Sequence, residues 1–252
     1  MTMEKCKVCG EDLYFPAIEI LGRTRTMRRK CKCVREEEYR AERARIESEA
    51  RYSAERARDR CFREYGDYRG STFATDDGKD PGLSKKMRNY AANFGRFLEG
   101  GNGLLFYGNV GAGKTFYSAC IANAIIDGGY TVMFSNFVSL VHRIQDETYK
   151  GLPVMREIGK CDLLIIDDLG VERETKFMQE HVYNIIDLRY RNRKPVIVST
   201  NLTGPELQNP GGVMASRIYG RILERCLPIR FDGPDRRKSN TRYREMLDVL
   251  NG

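Results

Sequence analysis

The segment Gly108-Asn109-Val110-Gly111-Ala112-Gly113-Lys114-Thr115 places three glycines ahead of a Lys–Thr pair. Glycines let a backbone turn its N–H groups inward, toward the oxygens of a phosphate. A helix opening at Lys114 adds its positive dipole end at the same point. In such a loop the lysine reaches the outer phosphates and the hydroxyl ligates magnesium. The pattern alone also fits a glycine-rich hairpin turn. The apolar run LLFY before it and the helical run KTFYSACIANAII after it favour the phosphate loop. Residues Gly108 through Thr115, with Phe116 next in the helix, are therefore expected to hold a nucleoside triphosphate.

A second feature lies downstream. Leu163-Leu164-Ile165-Ile166 reads as a buried strand, and it ends in Asp167-Asp168. Carboxylates at the tip of such a strand need either solvent or a purpose. Opposite a phosphate loop, Asp167 is expected to hold the magnesium and Asp168 to orient and deprotonate an attacking water. The bland alternative is an acid pair capping a turn into Leu169-Gly170. A third strand tip, PVIVSTN, offers Asn201 or Thr200 to the outermost phosphate, unless the segment simply caps LTGPEL through Thr203. Arg217 and Arg221 stand four apart on one predicted helix face. They read either as surface arginines or as fingers offered to a neighbour's nucleotide.

Four of the eight cysteines cluster near the start, as Cys6-x-x-Cys9 and Cys31-x-Cys33. Two close pairs of thiolates suit a structural zinc ion, and a segment with so little apolar material needs the folding energy a metal supplies. Free thiols in an unstructured tail are the alternative. The run RTRTMRRKCKC within this region is basic enough to face a polyanion or an acidic protein surface. The other four cysteines read as small core residues.

These residues need a scaffold. Helical and short apolar segments alternate from about residue 84 onward, which predicts an α/β domain with a parallel sheet covered on both faces. Ligands of such sheets bind beyond the carboxyl ends of the strands, where the loop and the acids fall. Upstream, EEEYRAERARIESEARYSAERARDR alternates charge at helical spacing and predicts a solvent-laced helix with a thin apolar stripe of Ile46, Ala50, Ala57 and Cys61. The expected division is a cysteine module over 1–34, a charged helical linker or docking arm over 35–66, and the nucleotide domain over 67–252. The chain has 252 residues, 41% of them hydrophobic and 31% charged, which excludes a disordered protein. No stretch is apolar enough to span a bilayer and the first residues lack a secretory core, so a cytoplasmic location is expected. The formal charge of +8 makes nucleic acid a plausible partner.

GNVGAGKT, LLIIDDLG, VIVSTNLT and SRIYGRILERC, in this order, resemble the DnaC/DnaI-type helicase loaders. Those belong to the AAA+ group of P-loop NTPases, which also holds the IstB-like transposition ATPases. The resemblance covers about residues 68 to 235. It implies an ATPase that binds a replicative, DnaB-type hexameric helicase and delivers it onto single-stranded DNA, self-associating on that helicase. It implies Walker A at Lys114 and Thr115, Walker B at Asp167 and Asp168, sensor 1 at Asn201 and the finger region at Arg217 and Arg221, with Arg221 the favoured finger. Asp168 replaces the Glu of many AAA+ proteins, which predicts slow hydrolysis. Only about twenty residues follow LPIRF, so no C-terminal lid domain is expected. NFVSLVHRIQDETYKG falls where related initiators carry a helix facing single-stranded DNA, with Phe137, Arg143 and Lys150 as expected DNA contacts; an ordinary crossover helix with Phe137 buried is the alternative. Two other functions stay open: an IstB-like transposition helper, and a nucleotide-gated adaptor with little hydrolysis.

Overall fold

The computed structural model describes residues 4–21, 23–150, 154–170, 176–209, 211–236, 246 and 248–250. By contacts the chain divides into two units, Met1–Ser53 and Ala54–Gly252. The first holds a small antiparallel ribbon, β1 (Ile18–Ile20) with β2 (Arg23–Arg25). It also holds most of a single long helix, α1 (Lys32–Cys61). Arg45 pairs with Glu42 at 2.7 Å and with Glu49 at 3.0 Å, the i,i+3 and i,i+4 lacing that the sequence predicts. Of the expected apolar stripe, Ile46 is exposed while Cys61 is buried. The last turns of α1 thus belong with the second unit, and the expected boundary at 66 falls within it.

The second unit is a five-stranded sheet in the order β4-β5-β6-β3-β7, every pair parallel. Its strands are β3 (Gly103–Gly108), β4 (Val132–Asn136), β5 (Leu163–Leu169), β6 (Val196–Thr200) and β7 (Cys226–Phe231). Alternation along the strands builds two cores. Leu104, Phe106, Leu163, Ile165, Ile197 and Phe231 face one layer with helices α2 (Pro81–Ala92) and α4 (Lys114–Asp127). Leu105, Leu164, Ile166 and Val198 face the other. There they meet α5 (Phe137–Lys150), α6 (Val154–Lys160), α7 (Lys176–Arg191) and α9 (Val213–Arg225). Central strands apolar on both faces are what two covering helix layers require.

Two local features differ from the sequence reading, and a third expectation goes largely untested. The helix expected over LSKKMRNYAANFGRFL breaks at Asn93 into α2 and α3 (Phe94–Gly100). A short helix, α8 (Gly204–Gln208), follows Thr203, whose N–H and hydroxyl both donate to the Glu206 carboxylate at 2.8 Å. The closing helix expected over RYREMLDVL lies largely outside the described residues. Among the described residues no helical lid domain follows β7, and no helix is long and apolar enough to cross a membrane.

Candidate nucleotide site

The carboxyl ends of β3, β5 and β6 bring the predicted residues together. After β3 the chain turns at Gly108, at φ 117°, where a Cβ would sit 2.3 Å from the Phe231 carbonyl oxygen. Only glycine combines that backbone angle with that approach. Asn109 locks the loop to the strand beside it: its N–H donates to the Phe231 carbonyl at 2.8 Å and its side-chain amide to Asp232 O at 3.1 Å. The loop then enters α4, a helix long enough to present an aligned set of N–H groups.

Lys114 is 6% exposed, and its ammonium donates to Gly108 O at 2.9 Å, Asn109 O at 2.7 Å and Asn201 Oδ1 at 2.7 Å. The Thr115 hydroxyl donates to Asp167 Oδ2 at 2.9 Å. Asp167 and Asp168 would point to opposite faces in a regular strand. The pairing of β5 with β6 shifts register between Ile166 and Leu169, and Asp168 adopts a left-handed φ of 57°. That irregularity keeps Asp167 inside, 5% exposed, against Thr115, and sends Asp168 outward into the pocket. Asn201 joins cation to acid, because its Nδ2 donates to Asp168 Oδ1 at 3.3 Å.

Burial raises the pKa of Asp167, the Asp168 charge adds to that, and hydrogen bonds from Ser199 and Thr115 and the Lys114 charge oppose it. Ser199 was not foreseen. Its hydroxyl donates to Asp167 Oδ1 and accepts the Asp168 N–H at 3.0 Å, fixing both acids at once. A polar residue inside the buried run VIVST was the available signal. Thr200, the alternative to Asn201, is buried and turns its hydroxyl to Leu169 O at 2.6 Å, away from the site.

The resulting cavity is about 360 Å³, within the range for small-ligand pockets. Val110, Gly111, Gly113, Lys114, Thr115 and Phe116 line it, while Gly108, Asn109 and Ala112 shape the loop from behind. The far wall was not predicted. Tyr68, Thr75 and Asp77 stand there with Arg236, whose N–H donates to Gly111 O at 3.0 Å and whose guanidinium pairs with Asp77 at 2.9 Å.

The family model of IstB-like ATP binding proteins matches residues 28–243. The chain belongs to that family. This IstB-like protein is 30% identical over 187 residues to the replicative helicase loader DnaI of Bacillus subtilis, an alignment covering 68% of this chain and 60% of that one. It is 27% identical over 151 residues to the loader DnaC of Escherichia coli, covering 58% of each. The chain thus spans about three-fifths of the length of these relatives. The crystal structure of the DnaC helicase loader superposes with a TM-score of 0.58 at 25% identity, covering 66% of this chain and 98% of that one. The fold is that of an AAA+ P-loop NTPase.

The other expected sites of the IstB-like protein fare unequally. The sulfurs of Cys6, Cys9, Cys31 and Cys33 lie within 4.8 Å of one another. Tetrahedral zinc with Zn–S of about 2.3 Å sets sulfurs about 3.8 Å apart, so four thiolates here fit that ion. Backbone N–H groups of Cys9 and Val8 lower the Cys6 thiol to about 6. Phe137 is corrected: at 2% exposure, packed in the core beside Leu140, it offers no face to a base. Arg143 is half-buried and pairs with Glu157 at 3.2 Å. The side chain of Lys150 lies outside the described residues. Arg221 is engaged within its own chain, 2.8 Å from Asp187 and with its guanidinium 4.4 Å from the centre of the Tyr183 ring, whereas Arg217 is exposed.

Proposed function

We propose that this protein is an ATPase that binds a DnaB-type replicative helicase and delivers it onto single-stranded DNA. The observation that carries the reading is the contact of the loop hydroxyl of Thr115 with the strand-tip carboxylate of Asp167, because phosphate cradle and metal-ligating acid then address one ligand. Thr115 and Asp167 would hold magnesium, which would offset charge on the outer phosphates. Lys114 moves from the loop carbonyls to phosphate oxygens. Asp168 orients a water and takes its proton, and Asn201 holds Asp168 in place. The Cys6, Cys9, Cys31 and Cys33 module would carry zinc and, with α1, form the arm that docks the helicase. The loader reading is supported by the DnaI and DnaC relatives.

A finger acting in trans must reach a neighbour's phosphates, so exposure decides between the paired arginines. Arg217 has it, and Arg221 is occupied by Asp187, so the proposal assigns the finger to Arg217. Self-association on the helicase follows from that role. The test is magnesium-dependent phosphate release together with helicase retention on tagged chain, with and without ATP. Loss of release in Lys114→Ala and Asp167→Asn, with helicase retained by the wild type, is expected. Retention of a transposase in place of a helicase would favour the IstB-like transposition role, and binding without release would favour an adaptor.

A further inference from the structure

A second cleft, of about 540 Å³, lies outside the nucleotide pocket. Five cations line it: Arg60 in the last turn of α1, Arg63 just beyond that helix, Arg143 on α5, and Arg156 and Lys160 on α6. Only Arg143 among them has an ion pair among the described residues, with Glu157. The other lining acid, Glu64, accepts the Ser135 hydroxyl at 2.5 Å. Like charges gathered on one concave surface repel each other, and nothing in the nucleotide chemistry uses them. They make the cleft a receptor for an anion.

The floor of the cleft says which kind. Thr131, Val132, Met133 and Phe134 line it consecutively, and β4 is an outer strand that among the described residues pairs only with β5. Thr131 accepts the Leu163 N–H at 3.1 Å, so its backbone faces β5. Alternation then aims the N–H and C=O groups of Val132 and Phe134 away from β5, on the side of the cleft that both residues line. An extended peptide can add to such an edge through its main chain, while its side chains meet the cleft walls. A polynucleotide cannot use the ladder, and it prefers a stacking platform. The one aromatic ring here does not supply that: Phe134 is 3% exposed, with the Tyr65 ring stacked on it at 4.2 Å.

We propose that the open side of β4 binds an acidic, extended peptide segment of a partner protein, adding it as a sixth strand whose carboxylates meet Arg60, Arg63, Arg156 and Lys160. This inference stands whether or not the ATPase reading does. The probe is a labelled ten-residue peptide alternating glutamate and valine, titrated into the full chain and followed by anisotropy, with labelled oligo-dT in parallel. Backbone amide exchange is read at Val132 and Phe134. The expected result is peptide binding, slowing of both amides, and about tenfold weaker binding in the Arg63→Glu/Arg156→Glu double variant. Both residues are exposed and lie outside the nucleotide site, so magnesium-dependent phosphate release by that variant should equal the wild type's. Three results would overturn the proposal: no peptide binding, binding without amide slowing, or oligo-dT binding that the double variant abolishes while the peptide fails. The last would make the cleft a nucleic-acid phosphate site.

Discussion

Burial pulls Asp167 toward its protonated form, while the chemistry assigned to it requires the carboxylate. Its folded pKa is raised above the ordinary 3.8, so the folded chain is the better proton binder just above that pH. The share of stability that Asp167 controls is therefore greatest below 3.8. It falls as pH rises through the interval up to the folded pKa, and stays lost at neutrality. Asp167→Asn removes that cost. The nucleotide-free variant should melt higher, by about 2–4 °C for a gain near 1 kcal/mol, while magnesium-dependent phosphate release disappears. A lower melting temperature would show that the hydrogen bonds from Ser199 and Thr115 outweigh burial.

Asp168 poses a different question, because its φ of 57° belongs to a region that Asp and Asn tolerate better than other side chains. The slow hydrolysis expected from the shorter acid has a backbone counterpart here. Asp168→Asn should keep the fold and nucleotide affinity and lower turnover by at least about 100-fold, the usual contribution of a positioned base. Asp168→Glu should place a longer side chain on a less tolerant backbone and lose stability in urea, whatever it does to turnover.

At the scale of elements, the entry to the sheet hangs on a buried guanidinium. Arg189 on α7 is 1% exposed and donates to the carbonyls of Ile158 at 2.9 Å, Cys161 at 2.6 Å, Asp162 at 3.1 Å and Pro195 at 2.6 Å. It joins the end of α6 to the starts of β5 and β6, and burial lowers its pKa. Arg189→Ala strands those acceptors and should cost more than about 3 kcal/mol in urea unfolding. Arg191→Ala, on the same helix but with a 67% exposed side chain, should cost less than about 1 kcal/mol. None of this was readable beforehand, since an arginine near a predicted helix end looks like solvent. The same limit hid Ser199, Arg236 and Asp77, whose partners are distant in sequence. The phosphate loop and the acid pair were legible because their chemistry is carried by local spacing and strand tips, whereas the third strand tip left Asn201 and Thr200 open and only the family resemblance chose Asn201. Phe137 was misplaced because an aromatic at the start of a helix serves a core or a surface equally well in sequence, and only packing decides.

At the scale of the whole molecule, the proposed hydrolysis calls for a further cation at the outer phosphates that the described residues of one copy do not supply. In the proposed reading Lys114, which donates to Asn201 in the present structure, would serve the phosphates from within the chain, while Arg221 is spent on Asp187. Arg236 is paired with Asp77 at the pocket wall. Arg217 lies on α9 and is exposed, so under the proposed finger role its target would be the pocket of another copy. This has a consequence that a cis role does not share. Arg217→Ala and Asp168→Asn should each be nearly inactive alone on the assembled partner. Mixed, they should regain phosphate release, because an interface in which the Arg217→Ala chain binds nucleotide and the Asp168→Asn chain supplies Arg217 has every working group. If Arg217 acted on its own chain's nucleotide, every copy in the mixture would still carry one defect, and release would stay at the level of the separate variants.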